Sequence, residues 1–141
     1  MAKSAHHQRV FLSFSHDDER RARELIKELR LVPDLEVVSS GEDFDAGTDW
    51  QRRLRTQLEA SDLVLVLLTP DSVGSKWIQH EMGAAWALRK NLAVVAEDPR
   101  LVEKLPLERV RVFVDRGDTR AVAQEVAASM EPPTQFVTAT H

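Results

Sequence analysis

The chain has 141 residues, 43% of them apolar, enough for one compact domain and too few for two. Its 19 Lys and Arg against 23 Asp and Glu leave a formal charge of −4, which argues against nucleic acid as a main partner because phosphate binding needs a basic face. The absence of cysteine excludes disulfides and thiolate metal sites, and the longest apolar run, Leu63 to Leu68, is far too short to span a bilayer.

Residues 1–9 are polar, carry no signal-peptide pattern and read as a flexible N-terminus. No membrane contact is implied, and a cytoplasmic location is expected. Val10 to Phe14 then reads as a first strand. Ser15-x-x-Asp18 has the form of a capping box opening a helix, with Ala22, Leu25, Ile26 and Leu29 at helical spacing. Leu35 to Val38 is a short second strand. Residues 39–47 form a loop of small and acidic residues. Thr48-x-x-Gln51 is a second capping box, and Leu54 and Leu58 give the next helix its inner face.

Leu63 to Leu68 is apolar on both faces, as a central parallel strand under helices must be. Pro70 to Gly74 turn the chain into a helix over Ser75 to Leu88. Leu92 to Val95 is a fourth strand. Residues 97–109 form an irregular crossover with room for a short helix, and Val110 to Val114 is a fifth strand. Asp118 caps a last helix carrying Ala121, Val122, Glu125, Val126 and Met130. Pro132-Pro133 ends it, leaving 131–141 as a flexible tail around a single domain over 10–130.

Strand and helix alternating through short links imply a parallel sheet covered on both faces. Ligands in such sheets bind beyond the carboxyl ends of the strands. The helix after the third strand begins at that edge. At about 100° per residue, Trp77, Ile78, Met82, Ala84, Ala85 and Leu88 share one apolar arc, and Glu81 falls near its middle. Burying an unpaired carboxylate is costly or forces it to take up a proton. Glu81 is therefore a candidate functional group; a core tether hydrogen-bonded to backbone is the structural alternative. The five histidines make no metal site: His6, His7 and His141 lie at the ends, and His80 lies on the other side of the helix from Glu81. Neither GxGxxG nor GxxxxGK occurs.

Several stretches in order carry a resemblance. Val10-Phe11-Leu12-Ser13-Phe14-Ser15-His16-Asp17-Asp18 comes first, then Asp45-Ala46-Gly47-Thr48-Asp49-Trp50, then Ala60-Ser61-Asp62 before an apolar strand. Ser75-Lys76-Trp77-x-x-x-Glu81 follows, and Asn91 opens the next strand. Together, from about Val10 to Met130, they resemble the bacterial form of the TIR domain, the Toll/interleukin-1 receptor homology family. The resemblance implies a flavodoxin-like, five-stranded parallel sheet with helices on both faces, which agrees with the reading of the alternation.

It also implies a function. Many members cleave NAD+ between nicotinamide and ribose, releasing ADP-ribose or a cyclised form; NAD+ is then a substrate and no cofactor is needed. Their catalytic glutamate is that of Trp-x-x-x-Glu, which maps onto Glu81. Trp77, one turn earlier on the same face, shapes the ribose pocket or packs. Trp50 falls near an aromatic that stacks on nicotinamide, though at a helix start it would equally pin the helix to the core. Phe14, Ser15 and His16 fall where relatives approach the dinucleotide, at a helix start suited to phosphate. His16 brings a charge that depends on pH; its structural alternative is an exposed turn residue. Asp45 falls where some relatives hold an acidic residue near the ligand.

The 39–47 loop matches the segment that joins TIR domains head to tail, so other TIR domains are expected partners. Glu42, Asp43 and Asp45 make it acidic, which suits the nicotinamide side or a neighbouring chain better than a pyrophosphate; charge clusters more often simply face solvent. The expected function is an NAD+ glycohydrolase or ADP-ribose cyclase in antiviral defence or signalling. The alternatives are an interaction-only TIR module and a nucleoside-processing enzyme related to deoxyribosyltransferases.

Overall fold

The computed structural model describes residues 8–39, 50–104 and 110–130; the side chains of residues 50, 51, 53, 77, 80, 81, 86 and 104 fall outside the description. The strands are β1 (Gln8–Ser13), β2 (Leu35–Ser39), β3 (Leu63–Leu68), β4 (Leu92–Ala96) and β5 (Arg111–Val114). The α-helices are α1 (Glu19–Arg30), α2 (Trp50–Glu59), α3 (Lys76–Ala87) and α4 (Thr119–Met130). Single 3-10 segments span His16–Asp18 and Pro99–Lys104. The sheet is wholly parallel, in the order β2-β1-β3-β4-β5. This is the flavodoxin-like arrangement that the resemblance implies, and the alternation predicts its parallel strands.

The period-2 alternation of the strands divides the core. Val10, Leu12, Leu63, Leu65, Leu67, Ala93 and Val95 pack with Ala22, Leu25 and Leu29 of α1 and with Val122, Ala123 and Val126 of α4. The other face is built in two parts. Phe11 and Val64 pack with Leu54 and Leu58 of α2 and with Ala85 of α3. Val66, Leu68, Val94 and Ala96 pack with Ile78 and Met82 of α3 and with Leu101. All six residues of β3 are buried, so its unbroken apolar run follows from its central place.

Several expectations need adjusting. β1 begins at Gln8, inside the stretch read as flexible. Its first residues are polar, but Gln8 N–H donates to the Asp34 carbonyl at 3.0 Å, and Arg9 pairs with Glu36 on β2 at 2.9 Å. Phe14 lies beyond the end of β1. The crossover after β4 holds the 3-10 segment, and residues 105–109 lie outside the described residues. So do residues 1–7 and 131–141, the 40–47 part of the expected loop, and Thr48 and Asp49 of the second capping box.

Helix ends are built with local chemistry. Asp118 caps α4 as expected, its Oδ1 accepting from Ala121 N–H at 3.1 Å. At the end of α3, Lys90 N–H donates to the Ala85 carbonyl at 3.0 Å across Arg89, whose φ is 60°. That is a Schellman closure with arginine where glycine is preferred.

Candidate functional site

The chain leaves β1 toward β2 on one side and returns to β3 on the other. α1 and α2 therefore depart on opposite faces, and a crevice opens between the loops that follow β1 and β3. The residues flanking it come from Phe14 to Asp18 on one side and from Thr69 to the start of α3 on the other.

On the first side, Phe14 is 5% exposed and its ring belongs to the core under α1 and α4. A ligand would meet its backbone rather than its ring. Ser15 is nearly buried, and its Oγ accepts from Asp17 N–H at 3.4 Å. The His16 side chain is 77% exposed, with Nδ1 4.0 Å from a Glu19 carboxylate oxygen. Ser15 and His16 thus sit together at the crevice mouth, on the turn that opens α1.

Asp18 corrects the capping-box reading. Its carboxylate makes no cap bond. A 3-10 turn intervenes, closed by Asp18 N–H donating to the Ser15 carbonyl at 2.8 Å, and the helix proper starts one residue later. The carboxylate is buried, at 6% exposure for the residue, and both of its oxygens lie 3.0 Å from Thr69 Oγ1 at the end of β3. Sequence reasoning missed Thr69 and Ser72. The available signal was a hydroxyl residue placed directly after six apolar ones.

On the second side, Ser72 Oγ accepts from Thr69 N–H at 2.9 Å, and Thr69 Oγ1 accepts from Ser72 N–H at 3.2 Å. Ser75 then caps α3, its Oγ accepting from Ile78 N–H at 3.4 Å. Glu81 is in the second turn of α3 and Trp77 in the first. The arc of α3 is not uniformly buried: Ile78, Met82 and Ala85 are fully covered, while Ala84 and Leu88 are half-buried. On a regular helix, position 81 lies about 60° from Ile78, between Ala85 and Leu88. The side chains of Glu81 and Trp77 lie outside the description. Trp50 opens α2. Asp45 and most of the acidic loop lie outside the described residues.

A second bond ties the same edge. Arg21 of α1 hydrogen-bonds Glu97 just beyond β4. That bond raises the guanidinium pKa; burial opposes it, and attraction from Glu97, Asp115 and Asp18 adds to it, so the arginine end stays charged at any working pH. Behind it a cavity of about 350 Å3 lies over the carboxyl ends of β3 and β4, lined in part by Arg20, Arg21, Thr69, Glu97, Asp115 and Thr119. Another, of about 540 Å3, lies at the amino edge beside Asp62, Asn91, Arg111 and Phe113. Among the described residues, none of the site residues expected from the sequence lines either cavity.

Comparison with known proteins agrees with this fold. A family profile described as TIR domain matches residues 10–131. The TIR domains of the activated Roq1 resistosome, which directly recognizes the pathogen effector XopQ, superpose with a TM-score of 0.66 at 15% identity, covering 87% of this chain and 99% of that one. The TIR domain of the Toll-related receptor TRR-2 from Hydra magnipapillata gives 0.63 at 12% identity, covering 86% and 96%. The CMP N-glycosidase BcmB of Clostridium botulinum gives 0.59 at 18% identity, covering 86% and 99%. At these identities the likeness is one of fold. No curated protein matches the chain.

Proposed function

This chain belongs to the TIR domain family, and we propose that it is an NAD+ glycohydrolase of that family, cleaving the nicotinamide–ribose bond with Glu81 as its catalytic carboxylate. The observation that carries the reading is the place of Glu81. It follows Trp77 by one turn, in the helix that leaves the central strand β3 at the topological switch point. Its neighbours Ile78, Met82 and Ala85 on the same helix are buried in the core. Likeness to a CMP N-glycosidase adds support, because N-glycosidic cleavage is the reaction class proposed.

The chemistry asks little of the protein. Nicotinamide departs neutral from a pyridinium, so a strong general acid is unnecessary. The ribose passes through an oxocarbenium-like state, and a carboxylate nearby holds its hydroxyls and offsets the growing positive charge. One glutamate suffices for that role. Water or a group on the same molecule then captures the ribose carbon, giving linear or cyclised ADP-ribose. Trp77 shapes the ribose pocket, and Trp50 offers a ring for nicotinamide. The turn at Ser15 and His16 receives the pyrophosphate through its N–H groups and, when protonated, the imidazole. Asp45 belongs to the nicotinamide side.

Assembly completes the proposal. The 39–47 loop of one cytoplasmic copy would cover the pocket of the next in an open, head-to-tail array, as an antiviral or signalling device. The second reading is an interaction-only module, which the likeness to a Toll-related receptor domain favours. Chromatography of NAD+ incubated with concentrated protein, with and without a crowding agent, separates the two. Nicotinamide should appear with the wild type and not with Glu81→Ala. A parallel incubation with CMP tests the nucleoside-type alternative. No release from NAD+ under any of these conditions would favour the interaction module.

A further inference from the structure

We propose that Asp18 and Thr69 are positioning residues for that reaction: the bond between them sets the turn that launches α3, and through it Glu81, against the ligand-facing loop after β1. The inference rests on the glycohydrolase reading for its functional part and on the geometry of the carboxyl edge for the rest.

The hydrogen bonds run without a break. Asp18 ends the turn that begins at Ser15. Its two oxygens share the single proton of the Thr69 hydroxyl, each at 3.0 Å. Thr69 and Ser72 exchange backbone and side-chain bonds at 2.9 and 3.2 Å. The Ser72 carbonyl accepts from Ser75 N–H at 2.9 Å, and Ser75 caps α3. Thus the mouth of the crevice and the start of α3 are joined by side chains 51 residues apart in sequence.

The composition of this link is what calls for a role beyond cohesion. A buried carboxylate is expensive, and two loops are held as well or better by apolar contact. An acid–hydroxyl bond instead fixes a direction and a distance. It occurs where two loops must face one ligand, at the switch point. Asp18 is too well buried to meet substrate, so its action is indirect. A helix moves as a stiff rod, and position 81 is about 9 Å along the axis from the Ser75 cap at 1.5 Å per residue. Any shift of the turn is therefore carried to the carboxylate, and a misplacement of about 1 Å can cost about 100-fold in rate.

The test is a short series in full-length protein: wild type, Thr69→Val, Thr69→Ser and Asp18→Asn. Each is measured for kcat and KM of nicotinamide release and for amide exchange over residues 69–78. Thr69→Val keeps the volume and loses the hydroxyl. It should lower kcat at least about tenfold while KM stays within about threefold, and the turn should exchange faster. Thr69→Ser restores the donor and should stay within about threefold of wild type in kcat, with wild-type exchange. Asp18→Asn keeps an acceptor for the hydroxyl, so it should fold and lie between the two. Wild-type kcat in Thr69→Val would overturn the proposal while leaving the glycohydrolase reading intact. So would an equal loss in Thr69→Ser, which would mark a packing role. An inactive wild type whose turn still loosens in Thr69→Val would sink the glycohydrolase reading and retain the link between the two loops.

Discussion

The two edges of the sheet use polar residues differently. At the amino edge, side chains mostly serve the backbone. Lys90 Nζ donates to the Glu59 and Ser61 carbonyls at 2.7 and 3.0 Å, closing the end of α2. Asp62 accepts from Arg9 N–H at 2.7 Å, and Asn91 donates to the Asp62 carbonyl at 3.4 Å. At the carboxyl edge, side chains bond one another between elements: Asp18 with Thr69, and Arg21 with Glu97. The first edge uses most of these groups on backbone carbonyls and one N–H, with the partly exposed Arg9–Glu36 pair beside them. The second spends them on geometry, and buries a carboxylate to do so. A ligand site is expected on the second edge by topology alone, so the difference in bonding and the place of the site coincide.

Substitutions can break that comparison. Outside Glu81, the largest effect on activity without a matching loss of stability is expected at Thr69→Val. On the amino edge the reverse should hold. Lys90→Met removes a charged donor from two carbonyls and should cost about 1–2 kcal/mol in chemical denaturation, with nicotinamide release by the folded protein unchanged. If instead it slowed turnover, the two edges would not be functionally separate. Arg89→Gly relieves the left-handed residue that closes α3 and should stabilise the fold by about 0.5–1 kcal/mol. A lower denaturation midpoint there would show that the arginine side chain matters more than its backbone. Smallest of all, Arg21→Ala should change stability by no more than about 1 kcal/mol, because the pair is half-exposed and screened. Since the pKa of Arg21 is raised, its contribution is complete below the unfolded value and lost only in strong alkali. The arginine should therefore add no pH dependence near neutrality, and denaturation midpoints compared at pH 6 and 9 check this.

Where the letters repeat a simple physical pattern, the sequence was legible. The double-sided run of β3 and the inner faces of α1 and α2 were read correctly because burial alone selects those residues. The Asp118 cap was read correctly because its partner is three residues away. Asp18 was misread for the opposite reason. Ser15-x-x-Asp18 satisfies a local rule, yet the carboxylate finds a partner 51 residues on, which no local rule contains. Along α3 the apolar letters count equally in sequence, but Ala84 and Leu88 flank the contact and Ile78, Met82 and Ala85 fill it. Gln8 and Arg9 were placed outside the domain because polar letters hide backbone pairing, which β2 supplies.

The central claim is that one carboxylate at the carboxyl edge performs the chemistry. Its most direct test is the kcat for nicotinamide release by Glu81→Gln beside wild type, with NAD+ binding measured on both. The account predicts a loss of about 100-fold or more in kcat, the scale of removing one group that stabilises transition-state charge, with binding kept within about tenfold. Turnover by Glu81→Gln at the wild-type rate would contradict it.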